Sequence, residues 1–448
     1  MTSSAQHRAV VVGTGHRARM YTQALAARAG HRVVALCDPN PARIAFHNQL
    51  LADAGEPPAL AWSPDEFEAG LAAEHIDEVV VTTVDAEHHR YILAALKAGC
   101  RVVTEKPMTT DADKCAEILA AVKETGGELR VGFNYRYNPA HETVYELLRA
   151  GAIGDITSVH FEWMLNVRHG ADYFRRWHRE KDRSGGLMVH KSGHHFDLVN
   201  WWLGAAPEQV FGFGRLAFYG RENGERLGLR RDYANASEDP DAAKADPYSI
   251  DLAADPTLKS LYLDAQHLDG YHRDRNVFGD GITIEDDMAV LVRYETGASM
   301  SYHLTAYSPW EGYRVMFNGT QGRLELEVEE NLWAQPHEGA ETGPSGATEH
   351  GGVLMDNPGG KRILLRRLWE APREIEIPEG RGSHGGGDPR MLKELFGPIG
   401  DGSDDGAAPS AGGGATERDG ALALAIGLAA NRSFATGQPV ATADLFTV

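Results

Sequence analysis

The chain has 448 residues, too many for a single typical core, so at least two domains are expected. Its composition, 42% apolar and 24% charged, is that of an ordinary soluble globular protein able to bury a sizeable core. Forty-four basic against 64 acidic residues give a net charge of −20, which argues against nucleic acid or an anionic membrane as partner. A locally basic pocket for an anionic substrate remains compatible with that total.

Cys37, Cys100 and Cys115 have no metal-like spacing, and their odd number suits free thiols in a reducing compartment. Residues 1–8 are polar and lead straight into an apolar segment, without a signal-peptide pattern. No apolar run approaches the roughly 20 residues that span a bilayer. The expected location is cytoplasmic.

Residues 9–12 (AVVV) form a short apolar run stopped by Gly13-Thr14-Gly15, and a helical pattern follows from His16 to Ala29. A second buried-strand segment, RVVALCD, ends in Asp38 and precedes a helix from Pro41 to about Ala54. The alternation continues with a helix at 64–74, strand EVVVTT at 78–83 and a helix at 86–98. Strand RVVTEKP at 101–107, a helix at 111–125 and strand ELRVGFN at 128–134 complete it. Such alternation predicts parallel strands joined by helical crossovers, about six in one doubly wound sheet closing near residue 135. The expected first domain is therefore 1–135, and the second 136–448.

From Asp155 the pattern changes. TSVHFEWML and QVFGFGRLAFY alternate with period two, and two hairpins are predicted, turning at 295–298 and at 320–322. They predict an α+β domain with a large, open, mostly antiparallel sheet and one apolar face. That face suggests a homodimer or homotetramer. Residues 221–280 are polar and read as a long excursion from the sheet. Residues 335–360 and 397–417, rich in Gly, Ser and Pro, read as loops, and a closing helix is expected at 417–430.

Three constellations carry chemistry. In Gly13-Thr14-Gly15-His16-Arg17-Ala18, glycines permit a tight turn and close backbone approach to a pyrophosphate. The helix N-terminus adds amide donors and a favourable dipole. Asp38 ends the next strand, where a carboxylate accepts hydrogen bonds from an adenosine ribose diol and repels a 2′-phosphate, so NAD is favoured over NADP. The structural alternative is a plain turn with a capping Asp. Second, Glu105-Lys106-Pro107 closes a sheet strand at the end where open α/β sheets bind ligands. There Lys106 can hydrogen-bond a substrate hydroxyl and stabilise an alkoxide; as an isolated tripeptide it reads as a surface lysine before a helix.

The third constellation, GGLMVHKSGHHFDLVNWWLG (185–204), carries His190, His194 and Asp197 at spacings of four and three, on one helical face. Histidine suits proton removal near neutral pH. A spacing of four also suits zinc, but no third ligand is identifiable and no metal is expected. Two further segments have weaker signals. SHGGGDPR (383–390) offers His384 and Asp388 to a ligand or else is a flexible loop, and Glu285 or Asp286 in TIEDDM face the pocket or else solvent.

These three constellations, in this order, resemble the glucose–fructose oxidoreductase/inositol dehydrogenase (Gfo/Idh/MocA) family, over roughly residues 8–330 plus the final helix. The resemblance implies a Rossmann domain followed by an open-sheet domain, NAD(P), and carbohydrate substrates such as sugars and inositols. It also implies cofactor roles for Gly13, Gly15, His16, Arg17, Asp38, Thr83, His88, Glu105, Lys106 and Asn134. Lys106 matches the family's catalytic lysine, His194 its catalytic histidine, and Asp197 the acid three residues later; Arg136 follows the last Rossmann strand. One departure stands out: members usually carry Asp four residues before the histidine, where this chain has His190, followed by Lys191. A neutral His190 orients its neighbour without supplying the same charge. With Arg175, Arg176 and His178 upstream, His190 and Lys191 suit an anionic sugar.

The leading expectation is thus NAD-dependent hydride transfer at a sugar hydroxyl, with Lys106, His194 and His190 catalytic. Arg136, Arg176, His178, Lys191, Asp197, His384 and Asp388 are then expected at the substrate. The alternative is a redox glycoside hydrolase that oxidises C3 transiently, eliminates, adds water and re-reduces. A third, a non-catalytic NAD-binding sensor, sits poorly with an intact Lys106 and His194.

Overall fold

The computed structural model describes residues 6–334, 359–380, 386–399 and 412–448. Strands β1 (His7–Val12), β2 (His31–Cys37), β3 (Leu60–Trp62), β4 (Glu78–Val81), β5 (Arg101–Thr104) and β6 (Leu129–Val131) build the first sheet. Every pairing is parallel and the order is β3-β2-β1-β4-β5-β6. Valines pack both faces: Val10, Val12, Val79 and Val81 look one way, Val11, Val80 and Val103 the other, all fully buried. This two-sided burial is why the strands read as continuous apolar runs rather than alternating ones. The strand that the sequence counted without locating is β3, three residues of which two are exposed.

The second sheet has nine strands. These are β7 (Ile156–Asn166), β8 (Pro207–Arg215), β9 (Asp287–Tyr294), β10 (Ser299–Ser308), β11 (Glu311–Gly319), β12 (Gly322–Asn331), β13 (Lys361–Arg367), β14 (Arg373–Ile375) and β15 (Val440–Ala441). They run in the order β14-β13-β12-β11-β7-β10-β9-β8-β15, antiparallel except for β7 against β10. Both predicted hairpins are present as β9–β10 and β11–β12. Alternation along β9 and β12 leaves one face buried against helices and the other outward. The closing helix extends to Thr436, six residues beyond the expected end, and Thr416 with Asp419 forms its capping box.

The two halves share their cores. Met391, Leu395 and Phe396 of the helix Gly387–Phe396 pack with Tyr21 and Leu25 of the first domain. Arg136 is buried and donates to both oxygens of Asp197 at 2.8 and 2.6 Å, and lies 3.0 Å from Asp419. This charge cluster joins the end of the Rossmann region, the histidine-bearing helix and the closing helix. Replacing one member strands a buried partner. Arg136→Leu is therefore expected to cost about 3–5 kcal/mol of stability, read from denaturant titration; an unchanged midpoint would refute its role as a linker.

Candidate active site

At the C-terminal ends of β1, β2, β4 and β5 a cavity of about 700 Å3 opens between the two halves. That is the position and size expected of a ligand site in an open α/β sheet. Gly13, at φ +83°, lays its backbone on Thr83, and an added Cβ would approach the Thr83 backbone to 2.6 Å. Glycine is required there. Gly15, His16, Arg17, Asp38, Thr83, His88, Glu105, Lys106 and Asn134 all line the cavity. The Asp38 carboxylate accepts from Thr14 N and Asn40 N, each at 2.8 Å, which fixes its direction and leaves acceptor capacity for a diol.

Several of these side chains brace the wall. Arg17 donates to Glu105 at 2.6 Å and approaches Asp388 at 3.3 Å. Tyr21 also donates to Glu105, and these cations and donors hold that buried carboxyl below its usual range against desolvation. His88 lies between the carbonyls of Pro107 and Thr83, at 2.8 and 3.2 Å, and burial favours its neutral form, which donates to one of the two. Asn134 Nδ2 donates to Asp388 at 2.7 Å, while its buried Oδ1 has no hydrogen-bond partner among the described residues. A free acceptor on the wall fits the carboxamide NH2 of a dinucleotide, and the glycine turn fits its phosphates.

Lys106 reaches from the end of β5 into the cavity wall. Its Nζ donates to the His190 carbonyl at 3.1 Å and lies 3.4 Å from His190 Nε2. The other ring nitrogen, Nδ1, is 2.5 Å from Asp85 Oδ2. With Nδ1–H directed at Asp85, Nε2 offers its lone pair to the ammonium, a relay of acid, imidazole and amine. Burial lowers Lys106 to about 8, opposed by Asp85 and Glu105. Burial raises the Asp85 carboxyl, and Lys106 opposes that rise. Desolvation and the Lys106 charge push His190 well down.

His194 lies flat on Tyr135, with ring centroids 4.3 Å apart and planes inclined by 13°, and both line the cavity. Lys191 donates to the Tyr135 hydroxyl at 3.1 Å and lies 4.7 Å over the Trp163 ring. Arg176 pairs with Asp172 at 2.9 Å. His178 stacks on Trp177, and its buried Nδ1 has no hydrogen-bond partner among the described residues.

Four expectations require correction. The stretch 185–204 is not one helix but Leu187–His190 followed by Gly193–Leu203. The amides of Lys191 and Ser192 both donate to the Leu187 carbonyl, which shifts the phase by one residue and separates His190 from the face of Asp197. Arg136 and Asp197 bind each other and are not on the cavity wall. Asp388 is likewise a brace for Arg17 and Asn134 rather than part of that wall. Glu285 and Asp286 are also off it: Lys181 pairs with the first, and the second accepts the amides of Ala217, Phe218 and Tyr219. His384 lies outside the described residues.

Asp85, Tyr135, Asp172 and Tyr173 are wall residues that the sequence reading did not single out. Asp85 alone had a signal, since it follows a strand end at the ligand edge of the sheet. Among the described residues, the grouping with metal-ligand separations is His7, His31 and Glu78. It lies at the opposite ends of the strands, and Glu78 is already engaged by His7 and Arg101.

A doubly wound sheet whose glycine turn and lysine-bearing strand end meet in one cavity defines a dinucleotide-dependent oxidoreductase. Residues 7–133 match the oxidoreductase-family model for an NAD-binding Rossmann fold, and residues 145–442 match its C-terminal alpha/beta domain. The chain belongs to this Gfo/Idh/MocA oxidoreductase family, and its cofactor is NAD. It is 35% identical over 379 residues to YteT of Bacillus subtilis, named as an oxidoreductase, covering 82% of each chain. To the scyllo-inositol 2-dehydrogenase (NAD(+)) of the same organism it is 27% identical, over 56% of this chain and 71% of that protein. Among solved structures, an oxidoreductase from Agrobacterium radiobacter in complex with NAD+, L-tartaric acid and magnesium matches with a TM-score of 0.61 at 14% identity. That match covers 98% of this chain and all of the other.

Asp38→Ala removes the carboxylate expected to accept from the ribose diol and strands two loop amides. NAD affinity is expected to fall about tenfold or more, with the preference over NADP reduced. Nucleotide titration checks this, and an unchanged preference would overturn the ribose assignment.

Proposed function

We propose that the protein oxidises or reduces a hydroxyl carbon of a sugar or polyol, using NAD. The observation that supports this best is the Lys106 ammonium, lowered to about 8 and held by His190 on the same wall as the glycine turn and His194. Bound NAD+ supplies the hydride acceptor; the chain supplies position, charge and proton transfer. Lys106 donates to the substrate oxygen and stabilises it as its proton leaves. His194 takes that proton, oriented by stacking on Tyr135. His190 is a positioning residue: it aims Lys106 and connects it to the negative charge of Asp85. The charge expected of an aspartate at position 190 is thereby supplied from the β4 loop.

In this reading the substrate is a polyhydroxyl compound, a sugar or polyol. Arg176 shares Asp172 with Arg175 and Arg273, and Lys191 is held by a phenol and aromatic faces. Exposed Phe213 and Leu291 on the outward face of the second sheet support pairing of copies through that face. Among the described residues, no helix is long and apolar enough to cross a membrane.

The test is a single turnover, following absorbance at 340 nm when sugars and polyols are added to the NAD-loaded protein. Lys106→Ala is expected to keep nucleotide affinity within a fewfold while lowering the hydride-transfer rate about 100-fold. Wild-type rates in that variant would refute the assignment. Glycoside cleavage with the 340 nm signal returning to baseline would instead favour the redox hydrolase.

The rate should also lose activity as pH rises through about 8, where Lys106 gives up its proton. Asp85→Asn removes the charge that favours the ammonium, so this limb is expected to move to lower pH. A pH profile identical to wild type would exclude the relay.

A further inference from the structure

The excursion between β8 and β9 does not stand away from the molecule. Its stretch Ile250–Arg273 rests on the nucleotide edge of the first sheet. Ile250, Leu252, Leu258, Leu261 and Tyr262 form a small core of their own, and Phe46 of the Rossmann domain packs on it. Asn40 Nδ2 donates to the Ala265 carbonyl and Arg43 Nε to the Leu261 carbonyl, both at 3.1 Å. The Arg43 guanidinium also pairs with Asp269 at 2.8 Å and lies 3.7 Å from Asp38. Tyr262 and Tyr271 present their rings to it at 5.4 and 5.6 Å.

The central contact is that of Tyr262. Its hydroxyl accepts a hydrogen bond from His16 N at 2.9 Å. That amide follows the second glycine of the turn, at the helix N-terminus, where a pyrophosphate finds its donors. A Cβ on Gly15 would come within 3.4 Å of the same hydroxyl. A phenol is both acceptor and donor. It can therefore satisfy the amide when no phosphate is there and donate to a phosphate oxygen when one is. Around it, Asn40, Arg43 and Asp269 fasten the segment to the residues that follow Asp38.

We propose that Ile250–Arg273 is the outer wall of the dinucleotide site, with Tyr262 a phosphate ligand from outside the Rossmann domain. In this arrangement NAD leaves only when the wall lifts. The inference rests on the NAD reading and extends it to a cofactor held through many turnovers. Lifting breaks the Arg43–Asp269 pair and exposes the apolar cluster together, so release is slow.

The experiment follows NADH fluorescence after rapid mixing of the loaded protein with excess NAD+. Wild-type protein is expected to release NADH slowly. Tyr262→Phe, which keeps the ring and the packing, should release it about tenfold faster, as for a lost hydrogen bond to a charged group. Asp269→Ala should do the same by freeing Arg43, and a thermal melt establishes that each variant is folded. Release at the wild-type rate in folded Tyr262→Phe would overturn the proposal, whatever Asp269→Ala does. Tighter binding by Tyr262→Phe would also overturn it, because the hydroxyl would then compete with the phosphate for the amide. Failure of the wild-type protein to bind NADH would instead count against the NAD reading itself.

Discussion

A buried ammonium is the constraint on which this site is built. Lys106 sits in the wall of a cavity where solvation is poor, and an uncompensated charge there would cost several kcal/mol. Asp85 and Glu105 oppose that desolvation, and His190 links the lysine to Asp85 through the short 2.5 Å contact. Three separate pieces of chain must therefore arrive together: the β4 loop, the end of β5 and the turn Leu187–His190. The last belongs to the second half of the molecule. The relay thus holds the Lys106 amine and also fixes how the two halves face each other across the cavity.

The same rule recurs around it. Arg17 is bridged to Glu105 and Asp388, and Asp388 in turn accepts from Asn134. Arg136 is shared by Asp197 and Asp419. Each cluster joins the Rossmann region to an element that lies more than 60 residues further along the chain. Removing one charge leaves the others buried and unpaired, so such clusters tolerate loss of a member poorly. Rigidity is bought at these junctions, and hydride chemistry needs it, because the donor carbon and the acceptor ring must be held in register.

The alternation of the first domain was legible because fully buried parallel strands and amphipathic crossover helices have distinct periods. So were the hairpins β9–β10 and β11–β12, with turn residues between alternating runs. Strand β3 was not, since three residues with two exposed leave no periodic trace. Within the site, residues carried by local motifs (Gly13, Asp38, Lys106, His194) could be named in advance, and all four line the cavity. Asp85 could not be tied to His190, because that pairing spans 105 residues and depends on how the halves dock. Helical spacing misplaced Asp197 for a smaller reason: two amides share the Leu187 carbonyl, and a phase slip of one residue turns a face. Residues 221–280 read as a polar excursion, since their few apolar side chains are scattered, yet those side chains gather over the nucleotide edge.

The balance of charge inside the cavity bears on what the site accepts. Basic residues clustered in sequence, at 175–178 and 190–191, suggested an anionic ligand. In space the cluster is partly screened. Arg175 and Arg176 flank Asp172, to which Arg273 also lies near, so three guanidinium groups converge on one buried carboxylate. Burial keeps His178 neutral, with the nearby Arg176 and His190 pushing the same way. Lys191 spends its charge on the faces of Trp163 and Tyr135, and one of its donors on the Tyr135 hydroxyl. One carboxylate does not neutralise three guanidinium groups, so this corner keeps a net positive charge. A hydroxyl needs only a neutral donor or acceptor, and the wall offers these in the Nδ1 of His178 and the Oδ1 of Asn134. Desolvating a hydroxyl costs far less than desolvating an anion. The wall therefore sets neutral donors and acceptors suited to hydroxyls beside a cationic corner.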